Sequence, residues 1–135
     1  MKTIKILLFI TSLFSLIPFQ TYASQPNEES TNSDLILTLL TPYISKEIEK
    51  YYDKTLKYPP TYAPWFGTEM TVIRTKPRRY EFLVTVKAEP YVGAHNSVGV
   101  DEITFLVSVT GGVKTIEYVH LKDYKLPPHL SNYYR

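Results

Sequence analysis

The chain has 135 residues, of which 15 are basic and 13 acidic, and it has no cysteine, so disulfides and a thiolate nucleophile are excluded. Two of the basic residues, Lys2 and Lys5, lie in an N-terminal segment that we expect to be cleaved off. The rest of the chain has 13 basic and 13 acidic residues, and this balance gives no electrostatic reason to expect nucleic acid as a partner. The remaining length of about 110 residues is enough for one domain that buries roughly two-thirds of its unfolded surface.

The first 23 residues have the pattern of a cleavable signal peptide. Lys2 and Lys5 form a positive start, Ile6–Phe19 is apolar, and Ala23 offers a small residue before a cut. We expect cleavage after Ala23 and a product that is secreted or loosely associated with the cell envelope. The apolar run is too short for a durable membrane span, so we expect no stable membrane anchor after cleavage, and an uncleaved anchor is the alternative.

A polar stretch, residues 24–32, predicts a flexible lead, and an amphipathic helix follows it. Ser33 is a suitable N-cap for a helix that begins at Asp34. Apolar residues then recur every fourth position, which predicts one buried helix face: Ile36, Leu40, Ile44, Ile48 and Tyr52. Pro42 lacks a backbone donor, so the helix is expected either to kink there or to split into two segments. Two segments nearly in line, the second capped by Thr41, are favoured.

The segment Tyr58–Gly67 contains three prolines and four aromatic residues and predicts an extended connection. Its aromatic residues, Trp65 among them, either form a recognition surface for a peptide or glycan or cover one end of the core. The second interpretation is favoured, because large aromatic side chains bury much area in a small domain.

Four strands complete the pattern. Residues 69–75 and 80–89 predict one antiparallel pair, joined by the basic turn Lys76–Arg79, which is either a solvated turn or a contact for an anionic polymer. Residues 101–122 predict a hairpin with Gly111-Gly112 at its turn. That turn would place Val107 opposite Ile116, Phe105 opposite Tyr118 and Ile103 opposite His120.

Together these elements predict a single α+β domain over residues 33–122. The helix, kinked or split at Pro42, would pack on a four-stranded antiparallel meander sheet in two layers. Cystatin-like and nuclear-transport-factor-like folds share this plan as architecture only, and fold does not imply function. The tail, residues 123–135, is expected to lie over the surface or to fray.

The loop between the second and third strands carries the main candidate for a binding site. Gly93 permits a sharp turn or close approach, His95 can exchange protons near neutral pH, and Asn96 can orient a carbonyl or amide. The candidate binding residues are therefore Gly93, Ala94, His95, Asn96 and Trp65.

Catalytic chemistry has weaker support. His95 and His120 with Asp101 or Glu102 form a metal-ligand set by residue type, but their spacing matches no known metal motif, and the sequence predicts no cofactor. His120 is interpreted instead as a histidine that closes the core. No Gly-x-Ser-x-Gly elbow occurs, so no catalytic residue is assigned.

Several short segments resemble an uncharacterised family of small exported proteins from Gram-positive spore-forming bacteria. The resemblance rests on five segments: Leu39–Ile44, Tyr51-Tyr52, Gly93-Ala94-His95-Asn96, Ile103-Thr104-Phe105 and Gly112-Val113-Lys114. It covers residues 34–120, with Gly-Ala-His-Asn as its most specific feature, and the sequence departs from the pattern at Tyr58–Phe66. The resemblance implies a shared domain and export, and it implies no activity.

The leading hypothesis is a non-catalytic extracellular or cell-envelope binding or modulating domain. Its partner would be an extracellular protein, a peptide or a cell-wall component. The alternative is a small His- or metal-dependent hydrolase that uses His95 and His120, and a weaker alternative is a cystatin-like protease inhibitor.

Overall fold

The computed structural model describes residues 28–135, so the predicted signal peptide lies outside the described residues. Helix α1 comes first and six strands follow it, with a short 3₁₀ helix near the C-terminus. The elements are α1 Glu28–Tyr52, β1 Glu69–Arg74, β2 Glu81–Ala88, β3 Tyr91–Val92, β4 Asn96–Ser97, β5 Gly99–Ser108, β6 Gly112–Asp123 and the 3₁₀ helix Pro128–Tyr133. No helix of this part of the chain is long and apolar enough to cross a membrane.

The predicted α+β plan is confirmed. The main sheet has the order β1-β2-β5-β6 with every neighbour antiparallel, and β3 and β4 form a separate small hairpin between β2 and β5. One face of α1 and one face of the sheet share a single hydrophobic core. Its largest fully buried apolar side chains are Ile44 and Ile48 of the helix, Val86 of β2, and Ile103 and Phe105 of β5.

Helix α1 differs from the prediction at its start and at Pro42. It begins at Glu28 rather than Asp34, and it continues through Pro42 without a break, so the two-segment prediction is wrong. Pro42 has no N–H group to donate to the carbonyl of Thr38. Buried residues on both sides of the proline, Leu40 and Ile44, pack in the same core, and this packing keeps the two halves of the helix continuous.

The register of the β5–β6 hairpin also differs from the prediction. Ser108 pairs with Gly112 and Val107 with Val113, so the loop has three residues instead of two. Gly112 adopts a φ of +66°, the left-handed conformation that closes this type of loop. The predicted pairing of Val107 with Ile116 is therefore wrong.

A β-bulge shifts the register again in the middle of β6. Phe105 pairs with Thr115 whereas Thr104 pairs with Glu117, which leaves Ile116 as the extra residue. Ile116 is 57% exposed instead of buried. Beyond the bulge Ile103 pairs with Tyr118, rather than with His120 as predicted.

The C-terminal tail is held against the segment that follows α1. The Lys57 amide donates to the carbonyl of Tyr133 over 2.8 Å, and the Arg135 amide donates to the carbonyl of Thr55 over 3.0 Å. Leu126 is buried in the core cluster. Of the two predicted behaviours of the tail, the structure therefore shows the one in which it lies over the surface.

Candidate functional site

Two loops at one end of the sheet meet through backbone and ring contacts. Thr61 and Tyr91 exchange both backbone hydrogen bonds, at 2.8 and 3.0 Å. The Phe66 ring lies 5.2 Å from the Tyr91 ring and 5.0 Å from the His95 ring, and the rings of Tyr91 and His95 are 4.6 Å apart. We call Trp65, Phe66, Tyr91 and Gly93–Asn96 the loop surface.

The β3–β4 hairpin carries the Gly-Ala-His-Asn segment at its tip. Val92 pairs with Asn96, so Gly93, Ala94 and His95 form the connecting turn. Gly93 has a φ of +57° and His95 a φ of +60°. Glycine adopts this conformation freely, whereas for a residue with a Cβ it costs about 1–2 kcal/mol. The ring contacts of His95 with Phe66 and Tyr91 help to hold it in this strained conformation.

Trp65 is the most exposed large side chain of the loop surface. It is 82% exposed, while the neighbouring Phe66 is partly buried against the hairpin. A shallow depression of about 530 Å³ lies beside Trp65 and is lined by charged side chains, including Glu69, Lys87 and Glu89. The loop surface thus presents an open indole next to polar groups.

Gly67 fixes how the Trp65 loop joins β1. Its φ is +58°, and a Cβ built on it would lie 2.7 Å from the Cβ of Glu89. Both the backbone conformation and the close approach require glycine. Glu89 in turn accepts a hydrogen bond from the Ser97 hydroxyl of β4, so the loop and the hairpin are tied to the same residue.

A second cluster, which we call the carboxylate cluster, joins the end of α1 to β5 and β6. Asp101 is completely buried, and its Oδ1 lies 2.6 Å from Nδ1 of His120. The Tyr52 hydroxyl donates to Oδ2 of Asp101 over 3.0 Å. Tyr118 completes the carboxylate cluster: its buried hydroxyl lies near enough to Asp101 to lower the pKa of that carboxyl, although it makes no hydrogen bond of ordinary geometry among the described residues.

Burial and charge shift the protonation equilibria of the carboxylate cluster. Burial raises the pKa of Asp101, and the hydrogen bonds from His120 and Tyr52 offset part of this shift. Burial acts to lower the pKa of His120, but the hydrogen bond and charge of Asp101 outweigh it, so the pKa of His120 is raised. Burial and the nearby Asp101 also raise the pKa of Tyr52, which stays protonated.

The imidazole of His120 is mostly buried, and 16% of the side chain remains exposed. Its Nε2 is buried and lies 3.0 Å from Oδ1 of Asp123. The Tyr51 ring stacks on the imidazole with 4.9 Å between ring centres. An open cleft of about 410 Å³ lies next to the carboxylate cluster, but its lining includes Tyr51, Tyr118 and Asp123 and not His120. The geometry lets the imidazole share a proton with the carboxylates of Asp101 and Asp123.

The structure brings Asp101 and His120 together and places His95 among different neighbours. The ring contacts of His95 are with Phe66 and Tyr91, and those of His120 are with Tyr51 and Tyr52. Glu102 pairs with Lys87 and Val119 and, by the alternation of β5, points away from the core. Residues 28–135 contain no group of three or more His, Cys, Asp or Glu side chains placed to hold a metal ion.

Sequence reasoning missed the tyrosines of the carboxylate cluster. The four-residue spacing predicts that Tyr52 lies on the buried helix face, but no local pattern indicates the partner of its hydroxyl. The available signal was the alternation of β5, in which Asp101 shares a face with Ile103 and Phe105. A carboxylate on a buried face requires hydrogen-bond donors, and buried tyrosines are suitable ones.

A family model described as "Protein of unknown function (DUF3888)" matches residues 33–122, two thirds of the chain. Neither the curated proteins nor the solved structures include a match to the chain. The matched range contains the loop surface and the carboxylate cluster.

Proposed function

The chain belongs to the DUF3888 family of proteins of unknown function, and we propose that it is an exported, non-catalytic binding domain. The loop surface would contact an extracellular protein, a peptide or a cell-envelope component. This proposal starts from the sequence, where Gly93–Asn96 and Trp65 were predicted as binding residues although they lie far apart along the chain.

The contact between the two loops is the observation that carries the proposal. Phe66 packs on the His95 and Tyr91 rings, which makes one surface from residues about 30 positions apart. Trp65, next to Phe66, remains 82% exposed. Exposed tryptophans on a rigid support are typical of residues that dominate binding free energy. The left-handed backbone of His95 adds support, because strained backbone is frequent at functional sites.

The carboxylate cluster supports a non-catalytic function for the domain. A general base needs a nitrogen within hydrogen-bond reach of a substrate. Both nitrogens of His120 lie against carboxylates, Nδ1 against Asp101 and Nε2 against Asp123. The arrangement favours a structural role in which the imidazole fastens β6 to β5.

Affinity capture from native cell-envelope extract tests the proposal. The Trp65→Ala variant removes the exposed indole without touching the core, and Tyr80→Ala is the matched control, because Tyr80 is a 71% exposed aromatic at the opposite end of β2. We expect wild type and Tyr80→Ala to retain the same partner and Trp65→Ala to lose it. Retention by Trp65→Ala, or equal loss by both variants, would contradict a binding role for the loop surface.

Export is the second part of the proposal. Its basis is the sequence of residues 1–23, and cleavage after Ala23 would leave a chain that begins at Ser24 and contains all of α1. Mass spectrometry of the protein in culture medium should find a mature N-terminus at Ser24. A full-length chain confined to cells would contradict the export proposal.

A further inference from the structure

An open apolar groove lies between α1 and the sheet, at the end opposite the loop surface. Leu39 and Tyr43 line it from the helix, and Val72, Phe82 and Val107 line it from three strands. Its volume is about 500 Å³, which is in the range of small-molecule sites. The proposed function of the loop surface does not involve this groove.

The apolar lining of the groove is open to solvent. Leu39 is 65% exposed and Val72 is 42% exposed. Leu35, one helical turn before Leu39, is also exposed and extends the apolar stripe. Each buried methylene is worth about fourfold in a binding constant, so an alkyl chain placed against these side chains would bind favourably.

A cation lies beside the groove, against one of its lining residues. The guanidinium carbon of Arg74 is 4.6 Å from the centre of the Phe82 ring, which lines the groove. Arg74 also donates to the carbonyl of Arg79 over 2.6 Å, which anchors its side chain on the basic turn. Among the described residues neither Arg74, Arg78 nor Arg79 forms a salt bridge.

Glu81, the acidic residue of β2 nearest to this turn, already accepts a hydrogen bond from another residue. The carboxylate of Glu81 accepts a hydrogen bond of 2.8 Å from the Thr75 hydroxyl. The guanidinium of Arg74 thus contacts the rings of Phe82 and Tyr80 and one backbone carbonyl, and no carboxylate pairs with it among the described residues. Arginine is well suited to pairing with an external anion, because its planar group binds a carboxylate through two parallel hydrogen bonds.

We propose that the groove binds a single-chain anionic amphiphile. The alkyl chain would lie against Leu39, Val72 and Val107, and the carboxylate would pair with Arg74. The apolar lining and a guanidinium without a salt bridge at its edge together select this ligand chemistry, because a neutral or cationic head group would leave the charge of Arg74 without a carboxylate partner.

Isothermal titration calorimetry on the protein purified from its native cells tests the proposal. The probes are dodecanoate, octanoate and dodecyltrimethylammonium, each below its micelle concentration. We expect dodecanoate to bind at least about tenfold more tightly than octanoate, since four methylenes contribute up to about fourfold each. We also expect dodecanoate to bind more tightly than the cationic amphiphile with the same chain.

Two matched pairs of variants locate the site. Val72→Phe fills the groove, whereas Ile73→Phe makes the same kind of change on the opposite face of β1. Arg74→Gln removes the cation at Phe82, whereas Lys122→Gln removes a cation that lies 4.6 Å from the Tyr124 ring. We expect Val72→Phe and Arg74→Gln to weaken dodecanoate binding about tenfold or more and the two controls to leave it unchanged.

Several results would overturn the proposal. Absence of dodecanoate binding by the wild type, or equal binding by Val72→Phe and Ile73→Phe, would show that the groove is not the site. Equal affinity for the two amphiphiles of opposite charge would remove the role of Arg74. Sedimentation that shows a dimer dissociated by Val72→Phe would mean that a second copy of the chain covers the groove.

Discussion

At Asp101 the domain buries a carboxylate completely, and two neighbouring side chains make this tolerable. A buried charge without partners is strongly unfavourable. Here the Tyr52 hydroxyl and the His120 ring each hold one carboxylate oxygen, over 3.0 and 2.6 Å. Because Tyr52 ends α1 while His120 belongs to β6, the carboxylate fastens the helix to the edge of the sheet.

Asp101→Asn tests this role at the residue scale. The amide keeps the shape of the side chain but loses the charge that His120 and Tyr52 hold, so we expect the free energy of unfolding to fall by about 2 kcal/mol. Glu102→Gln is the control, because the next side chain points to the other face, and it should change stability by less than about 0.5 kcal/mol. Urea unfolding measures both, and equal stability of the two variants would contradict the role assigned to Asp101.

The raised pKa of His120 makes a second prediction, on pH dependence. A raised pKa means that the folded state holds the proton more tightly than the unfolded state, whose value is near 6.5. The stabilisation is fully present below pH 6.5 and is lost as the pH rises through the folded pKa. The difference in unfolding free energy between wild type and His120→Gln should therefore shrink from pH 6 to pH 9.

Urea unfolding at several pH values measures this difference. His129→Gln is the matched control, because His129 is an exposed histidine in the tail. It removes a histidine that has no part in the carboxylate cluster, and it is compared with wild type over the same range. A difference for His120→Gln that grows with pH would contradict the assigned direction.

Part of the carboxylate cluster is predictable from the sequence, because residue types alone group His120 with Asp101 or Glu102. Period-two alternation placed His120 at the end of the apolar face, where the structure has it. The alternation does not specify which side chain lies opposite. The loop at Gly111-Gly112 moves the register of β6 by three positions from the prediction, and the bulge at Ile116 moves it back by one, so the partner of His120 is Asp101 instead of Ile103. A bulge depends on long-range packing, and for that reason it left no local signal.

At the scale of elements, α1 shows tertiary packing outweighing local propensity. Pro42 removes one hydrogen bond in the helix interior, and Thr41 on its N-terminal side donates its hydroxyl to the carbonyl of Leu37 over 2.8 Å. The residues that face the sheet continue in register on both sides of the proline. The cost of Pro42 is therefore carried by the core contacts of the helix.

Pro42→Ala tests whether the helix is continuous in solution. Pro42 is exposed, so the substitution restores a backbone donor without changing the core, and we expect stability to rise by about 1–2 kcal/mol. Lys46→Ala, one turn later on the exposed side, is the control and should change stability by less than about 0.5 kcal/mol. Thermal unfolding compares them, and a loss of stability in Pro42→Ala would indicate a break at Thr41.

The β5–β6 turn shows why register was harder to predict than strand identity. Two adjacent glycines are compatible with a two-residue loop at Gly111-Gly112 or a three-residue loop closed by Gly112. The structure has the second, and the Ser108 hydroxyl accepts a hydrogen bond from the Gly111 amide over 3.0 Å. Both loops use the same residue types, so composition alone did not separate them.

At the scale of the whole molecule, the periodic segments predicted the helix, the four long strands and their antiparallel order. The structural features that the sequence did not predict lie in the segments without periodicity. The β3–β4 hairpin has two residues in each strand, and the end of the tail is held by backbone hydrogen bonds to residues 55–57 and by the Arg135 side chain, which donates to Leu56 and Asp53. Contacts of this kind join distant parts of the chain, so no local sequence pattern predicts them.

The two proposed sites lie at opposite ends of the sheet. The loop surface follows the last residue of β2, Ala88, and the groove contains Phe82 near its first residue. Six residues of strand separate these positions by about 20 Å. The two sites can therefore be occupied independently, and a variant at one should leave binding at the other unchanged.

Hydroxyl-radical footprinting of the domain with its captured partner tests the central claim, binding through the loop surface, most directly. Trp65 and Tyr80 are both highly exposed in the free domain, so each reports on one end of the molecule. We predict that the partner protects Trp65 from oxidation and leaves Tyr80 as reactive as in the free protein. Protection of Tyr80 with an unprotected Trp65 would contradict the account and move the binding site away from the loop surface.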